Sequence, residues 1–252
     1  LIENLRRAEV AAPTDPAVFS LLTGIKPDPW QADLLRSTAP EIILNCSRQS
    51  GKSTTTATLT MHTALYVPDS LILLLSPGER QSGELFKKCI AVYHAAYRPV
   101  KALHETELTL ALANGSRIVS LPGKDGTVRG FSGARLIVID EASRVLDSLY
   151  YAIRPMLAVS GGRLLLLSTP FGKRGFFHKE WEEGQDWQRF RVPATDCPRI
   201  PPAFLANERR SMPAARYAEE YDCIFGDADG AVFSYEQIQA ALDDTLEPLW
   251  VS

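Results

Sequence analysis

Glu41-Ile42-Ile43-Leu44-Asn45-Cys46-Ser47-Arg48-Gln49-Ser50-Gly51-Lys52-Ser53-Thr54-Thr55-Thr56 decides how this chain reads. An apolar run enters a short polar turn, the turn ends in Gly51-Lys52-Ser53, and a Thr/Ala-rich helical segment follows. Strand, loop, helix is the order of a phosphate-binding loop, whose full pattern is G-x-x-x-x-G-K-[ST]. In such a loop, backbone N–H groups at a helix N-terminus hold phosphate oxygens, a lysine adds a compact positive charge and a hydroxyl ligates Mg²⁺. Cys46 stands where the pattern has its first glycine, so the tripeptide alone also fits an ordinary strand-to-helix turn.

The chain around this stretch has 252 residues, enough to bury a large core, and is 45% hydrophobic and 23% charged, a globular composition. No apolar run approaches the ~20 residues a membrane helix needs. Four cysteines lie without C-x-x-C spacing, which argues for reduced thiols and against a zinc site or a disulfide framework. The net charge of −3 gives no global signature of nucleic-acid binding, though it leaves room for a local basic face.

Further apolar runs are Leu71–Leu75, Leu136–Ile139 and Leu164–Leu167, each of strand length and continuous, as expected of strands buried on both faces of a parallel sheet. Helices are expected from Pro29, over Thr54–Tyr66, from Glu84 to about Tyr97, over Tyr150–Val159, Phe176–Trp181 and Ala214–Tyr221. Asn114-Gly115 between Thr109–Leu112 and Arg117–Leu121 signals a hairpin. Gly123–Gly133 reads as a mobile surface loop and Arg189–Val192 as an edge strand. The pattern is that of a doubly wound, mainly parallel α/β sheet of the P-loop NTPase kind. A core over residues 1–185 gives way near Asp186 to a small subdomain over 186–252.

Four strands end in polar signatures: Asn45, Ser76-Pro77-Gly78, Asp140-Glu141 and Ser168-Thr169-Pro170. In a doubly wound sheet those ends share the edge where ligands bind. Asp140 fits a Walker B aspartate that would share Mg²⁺ with Ser53, and Glu141 would orient or deprotonate the attacking water. A second acidic residue favours hydrolysis over transfer to a bound metabolite. Trp30-Gln31 is a candidate base site, because a Gln amide matches the adenine edge; a core Trp beside a surface Gln is the alternative. Ser168 and Thr169 can meet the γ-phosphate or simply close an ST turn. Arg48, inside the loop, and Arg129, in Gly126–Gly130, are both candidates for a charge-stabilising finger.

Together, Pro29-Trp30-Gln31, Ser47-Arg48-Gln49-Ser50-Gly51-Lys52-Ser53, Thr127-Val128-Arg129-Gly130-Phe131-Ser132, Ile139-Asp140-Glu141-Ala142 and Ser168-Thr169-Pro170 resemble the large terminase subunit of tailed bacteriophages, over roughly residues 25 to 235. The form R-Q-x-G-K-S without the first glycine is characteristic of that family, so Cys46 strengthens the match. The resemblance implies an ATPase of the additional-strand, catalytic-glutamate class that binds ATP and Mg²⁺ and drives double-stranded DNA into a procapsid. It further implies nucleotide contacts from Ser47, Arg48, Gln49, Ser50, Gly51, Lys52, Ser53 and Thr54. Expected partners are the portal protein, the small terminase subunit and further copies in a ring, in the host cytoplasm. Tyr221–Phe225 and Ala231–Phe233 look like the family's linker, and a C-terminal nuclease is expected beyond this chain. Rival readings are a helicase-like lobe, which needs a second ATPase lobe, a nucleotide kinase and a non-hydrolytic nucleotide-binding module.

Overall fold

The protein was described from a computed structural model, which covers residues 9–122, 128 and 130–227. Arg129, most of the expected loop Gly123–Gly133, most of Leu1–Val10 and the linker piece Ala231–Phe233 lie outside the described residues.

Eight strands form one sheet in the order β3-β4-β5-β2-β6-β7-β1-β8. They are β1 (Glu41–Cys46), β2 (Leu71–Ser76), β3 (Ala102–Glu105), β4 (Thr109–Leu112), β5 (Arg117–Pro122), β6 (Leu136–Asp140), β7 (Arg163–Ser168) and β8 (Gln188–Val192). From β5 to β8 every pairing is parallel, while β4 runs antiparallel to both β3 and β5. The expected α/β class is therefore observed, with an antiparallel extension at one edge.

The apolar runs are continuous because both faces of the sheet are covered. Alternate side chains point to opposite faces. Ile42, Leu44, Ile72, Leu74, Val138 and Leu165 join one cluster, together with residues of α1 (Pro16–Leu22), α2 (Pro29–Arg36), α3 (Lys52–Tyr66) and α4 (Glu79–Ala95). Ile43, Leu73, Leu75, Ile137, Ile139 and Leu166 join the other, against α5 (Asp147–Ile153) and α6 (Gly175–Glu182). Burying each such side chain contributes about 1.5–3 kcal/mol. On the second face Tyr150 of α5 stacks flat on Phe176 of α6, ring centroids 4.3 Å apart.

Several elements differ from their sequence-based bounds. α4 begins at Glu79, a turn before Glu84, because Ser82 is fixed from two sides: its hydroxyl donates to the Leu121 carbonyl at 2.7 Å and its own carbonyl accepts from the Ser120 hydroxyl at 2.9 Å. The helix expected over Tyr150–Val159 starts at Asp147 and gives way at Arg154 to a 3₁₀ turn, since Pro155 has no N–H to continue it. The exposed strand β3 carries no apolar run to announce it. β8 lies past the boundary expected near Asp186, yet it pairs with β1 from Ile42↔Gln188 to Cys46↔Val192, so the sheet continues to Val192. Beyond it, Ala194, Leu205, Tyr217 and Tyr221 make a small cluster of their own, carried by α7 (Pro202–Ser211) and α8 (Ala214–Glu220).

Candidate nucleotide-binding and hydrolytic site

The carboxyl ends of β1, β6 and β7 open into a cavity of about 1070 Å³. It is slightly larger than the about 300–1,000 Å³ typical of ligand sites. Along the parallel ladder Asn45 lies opposite Ser168 and Asp140 opposite Leu167, so the polar strand ends fall at one level. Register alone brings the signatures together.

The loop between β1 and α3 is held by unusual backbone. Gln49 (φ 59°) and Gly51 (φ 95°) both adopt left-handed conformations. A Cβ at Gly51 would lie 2.6 Å from Gln31 Nε2, so only glycine fits. α3 then begins at Lys52. Among its buried threonines, Thr55 donates to Gly51 O at 3.1 Å and Thr58 to Thr54 O at 3.0 Å, while the hydroxyls of Thr56 and Thr60 are buried without a partner.

Lys52, 8% exposed, places Nζ 3.8 Å from Glu141 Oε1 and 3.5 Å from Thr169 Oγ1. Glu141 itself is left-handed (φ 51°), a strained backbone of the sort that clusters at functional sites. Its other carboxylate oxygen lies 3.9 Å from Arg144 Nε. Asp140 is buried at the end of β6 and accepts from the Glu141 N–H at 2.9 Å. Burial, then the Glu141 charge, push its carboxyl up to about 6 against the pull of Lys52. Ser168 and Thr169 are joined to the Asp140-Glu141 turn through Ser143, whose hydroxyl lies 2.6 Å from Ser168 Oγ and 2.9 Å from Thr169 O.

Among the expected site residues, Arg48, Gln49, Gly51, Lys52, Ser53, Thr54, Glu141 and Thr169 line the cavity. Ser47 and Ser50 are buried beneath the loop. Trp30 and Gln31 do not line the cavity. Trp30 packs against the core, and Gln31 spends its amide oxygen on the Asp28 N–H at 2.8 Å while its nitrogen lies against Gly51. Arg48 is not free: its guanidinium pairs with Glu220, which also binds Arg216 at 2.8 Å, and its N–H donates to the Glu220 carbonyl at 3.1 Å. Lys173 pairs with Asp227 at 3.6 Å, and Arg174 lies over the Phe171 ring at 4.5 Å.

The far wall was not foreseen. Gln81 and Lys88 come from α4, and Arg199, Ile200, Pro201, Phe204 and Tyr221 from the small cluster beyond β8. Arg199 forks between Asp28 (2.8 Å) and the Ser50 carbonyl (2.9 Å), tying the phosphate loop to the start of α2. The run of prolines around it was the only sequence cue that the chain doubles back there. Five cationic side chains (Arg48, Lys52, Lys88, Arg144 and Arg199) line the cavity against the single carboxylate of Glu141.

A sequence-family profile described as terminase large subunit, T4likevirus-type, N-terminal, matches residues 43–240. Large terminase subunits of Thermus virus P23-45 and Thermus phage G20c are each 25% identical to this chain, over 86% of it and 52% of the relative. The chain thus spans about half the length of the curated relatives it matches. Among solved structures, the large terminase ATPase domain of Thermus phage P74-26 superposes with a TM-score of 0.73 at 23% identity, covering 82% of this chain and 97% of that one. The large terminase of a thermophilic bacteriophage, solved in complex with ADP, gives 0.62 at 14% identity, covering 86% and 53%. At these identities the structural likeness is one of fold.

Proposed function

This chain belongs to the large terminase subunit family, matching its N-terminal part, and from that premise we propose that it hydrolyses ATP to drive double-stranded DNA into a procapsid. The observation that carries the reading is the cavity itself: cationic side chains and a phosphate loop face one glutamate beside a buried aspartate. A polyphosphate would neutralise the cations, and the glutamate is left to act on water.

Loop N–H groups and Lys52 would hold the β- and γ-phosphates. Asp140 and Ser53 fit Mg²⁺. They offer hard oxygen donors, and burial has left the Asp140 carboxylate short of compensating charge, as a cation site requires. Bound there, the ion would neutralise charge on the phosphates. Glu141 is the residue to orient and deprotonate the attacking water, and arrival of the γ-phosphate would draw Lys52 off it. Ser168 and Thr169, linked through Ser143 to the same turn, would register whether the γ-phosphate is present. For the base, Phe204, Ile200 and Tyr221 are better placed than Trp30 and Gln31, which we assign to supporting the loop.

Arg129 is proposed as the finger that acts on a neighbour's ATP in a homo-oligomeric ring, with Arg48, held by Glu220, as its rival within the subunit. The division of labour is a core that continues through Val192 and a lid from Pro193. The portal protein, the small terminase subunit and the host cytoplasm complete the setting; no described helix is long and apolar enough to cross a membrane.

Steady-state ATP turnover with and without double-stranded DNA and procapsid tests the reading. Stimulation by both together is expected of a motor. Turnover indifferent to DNA and procapsid but dependent on a small phosphate acceptor would replace it with a kinase.

A further inference from the structure

At the opposite edge of the sheet a second cavity of about 440 Å³ lies between α1, α3 and the starts of β6 and β7. Three arginines line it: Arg36, Arg135 and Arg163. The one carboxylate among its lining residues, Asp15, is already taken. Arg36 binds it through Nε and Nη2 (2.9 Å for the latter), and it also accepts from the Ala17 and Val18 N–H groups at the start of α1. That leaves Arg135 and Arg163 without an acidic partner among the described residues.

Arg163 is the unusual one. Its Nε donates to the Ala39 carbonyl at 3.1 Å, which fixes the guanidinium against the protein, while Nη2 is buried with no hydrogen-bond partner. Leu136 and Arg163 are cross-strand partners, so Arg135 comes to the same strand edge as Arg163 with the same charge. Burial and that like charge both lower the Arg163 pKa. A buried guanidinium donor without an acceptor is costly, and a second cation beside it adds to the cost. A planar guanidinium fork suits an oxyanion, and the Thr38 hydroxyl stands along the same wall, those of Ser37 and Thr63 being already given to Gln188 and to the Leu59 carbonyl. The groups facing Arg163 are otherwise His62, whose Nε2 lies 3.0 Å from the Ala12 carbonyl, and the compensated Asp15–Arg36 pair.

We propose that this cavity binds a phosphate group, held by Arg163 and Arg135, at a site separate from the nucleotide cavity. The group can be free orthophosphate or a phosphate of a nucleic-acid backbone; the chemistry of recognition is the same.

Orthophosphate also fits the phosphate loop, so the test is made in a Lys52→Ala background, where that competing site is disabled. Binding of orthophosphate would be followed by calorimetry and by thermal shift. Saturable binding is expected in Lys52→Ala, weakened at least tenfold when Arg163→Gln or Arg135→Gln is added. Arg135 is exposed, so its variant should fold even if Arg163→Gln does not. Circular dichroism would confirm the fold of each. A short DNA duplex that displaces orthophosphate, less effectively as salt is raised, identifies the backbone as the source; no displacement identifies the free anion. Absence of saturable binding in Lys52→Ala, or binding indifferent to both arginine substitutions, overturns the proposal. Neither result bears on whether Lys52 and Glu141 hydrolyse ATP, so the two readings fail separately.

Discussion

The two walls of the nucleotide cavity are built by different means. On one side Lys52, Asp140, Glu141 and Thr169 stand at or next to strand ends, and the parallel ladder sets their level. On the other, Arg199, Phe204 and Tyr221 come from short elements beyond β8, and ion pairs hold them there: Arg199 with Asp28, and the phosphate loop's Arg48 with Glu220. The sheet wall is fixed by backbone hydrogen bonds buried in the core. The far wall depends on side chains that are half-exposed at one end, such as Arg199 at 49% and Arg48 at 57%, where solvent weakens each pair to about 0–1 kcal/mol. On the proposed reading chemistry belongs to the sheet wall, where substitutions should have the large effects, on rate at Glu141 and on phosphate affinity at Lys52. The far wall should act on affinity, and weakly.

The largest effect expected is that of Glu141→Gln. Hydrolysis should slow by at least about two orders of magnitude, near 3 kcal/mol, while ATP affinity stays close to normal. Near-normal single-turnover hydrolysis in that variant would remove Glu141 from its role and break the division between the walls.

Next comes Lys52→Ala. ATP binding should weaken by about 10–100-fold and adenosine binding hardly at all, because only the phosphates meet this side chain. Equal losses for both ligands, measured by calorimetric titration, would mean that the loop has misfolded.

These two residues were legible in the sequence because their signal is local. A run of apolar residues followed by a signature at its end gives both the strand and the polar tip it carries. Asp140, Glu141, Ser168 and Thr169 were found the same way. The far wall had no such signal. Arg199 reaches Ser50 across 149 positions in the chain, and nothing at Cys197-Pro198-Arg199-Ile200 says where it will land. Gln31 carries two signals at once. Its amide matches adenine in chemistry, but it stands three residues after Asp28, where the same amide completes the start of α2. The sheet runs past the boundary expected near Asp186, because the prolines that mark the change of pattern begin only after β8 has joined β1.

A third prediction concerns stability. The Asp140 carboxyl, pushed up to about 6 from 3.8, binds its proton more tightly in the folded than in the unfolded chain. Its contribution is then present at low pH and lost as pH rises through about 6. At pH 8, without nucleotide or metal, Asp140→Asn should raise stability by about 1–3 kcal/mol, hence Tm by several degrees, while abolishing hydrolysis. At pH 5, where the wild-type carboxyl is largely protonated, the gain should shrink. A variant less stable than wild type at pH 8 would show that Lys52 depends on Asp140 more than the burial of Asp140 costs.

The smallest effect, and the sharpest test of the far wall, is Arg199→Lys. The charge is kept, but an ammonium cannot reproduce the fork that reaches Asp28 with one nitrogen and Ser50 with the other. Gly51 lies directly beneath, 3.2 Å from Arg199 Nη2 if given a Cβ, so any slack in the fork is passed to the loop that binds phosphate. ATP affinity should fall by about 3–10-fold, with kcat little changed, since nothing on the sheet wall has moved. Asp28→Asn should cost a similar amount, and the double variant little more than either single one, because both break the same tie. If Arg199 instead touched the transferring phosphate, kcat and kcat/KM would fall together and Asp28→Asn would not reproduce the effect. Additive losses in the double variant would separate the two residues altogether. Arg199 would then belong with Lys52 on the chemical side of the cavity.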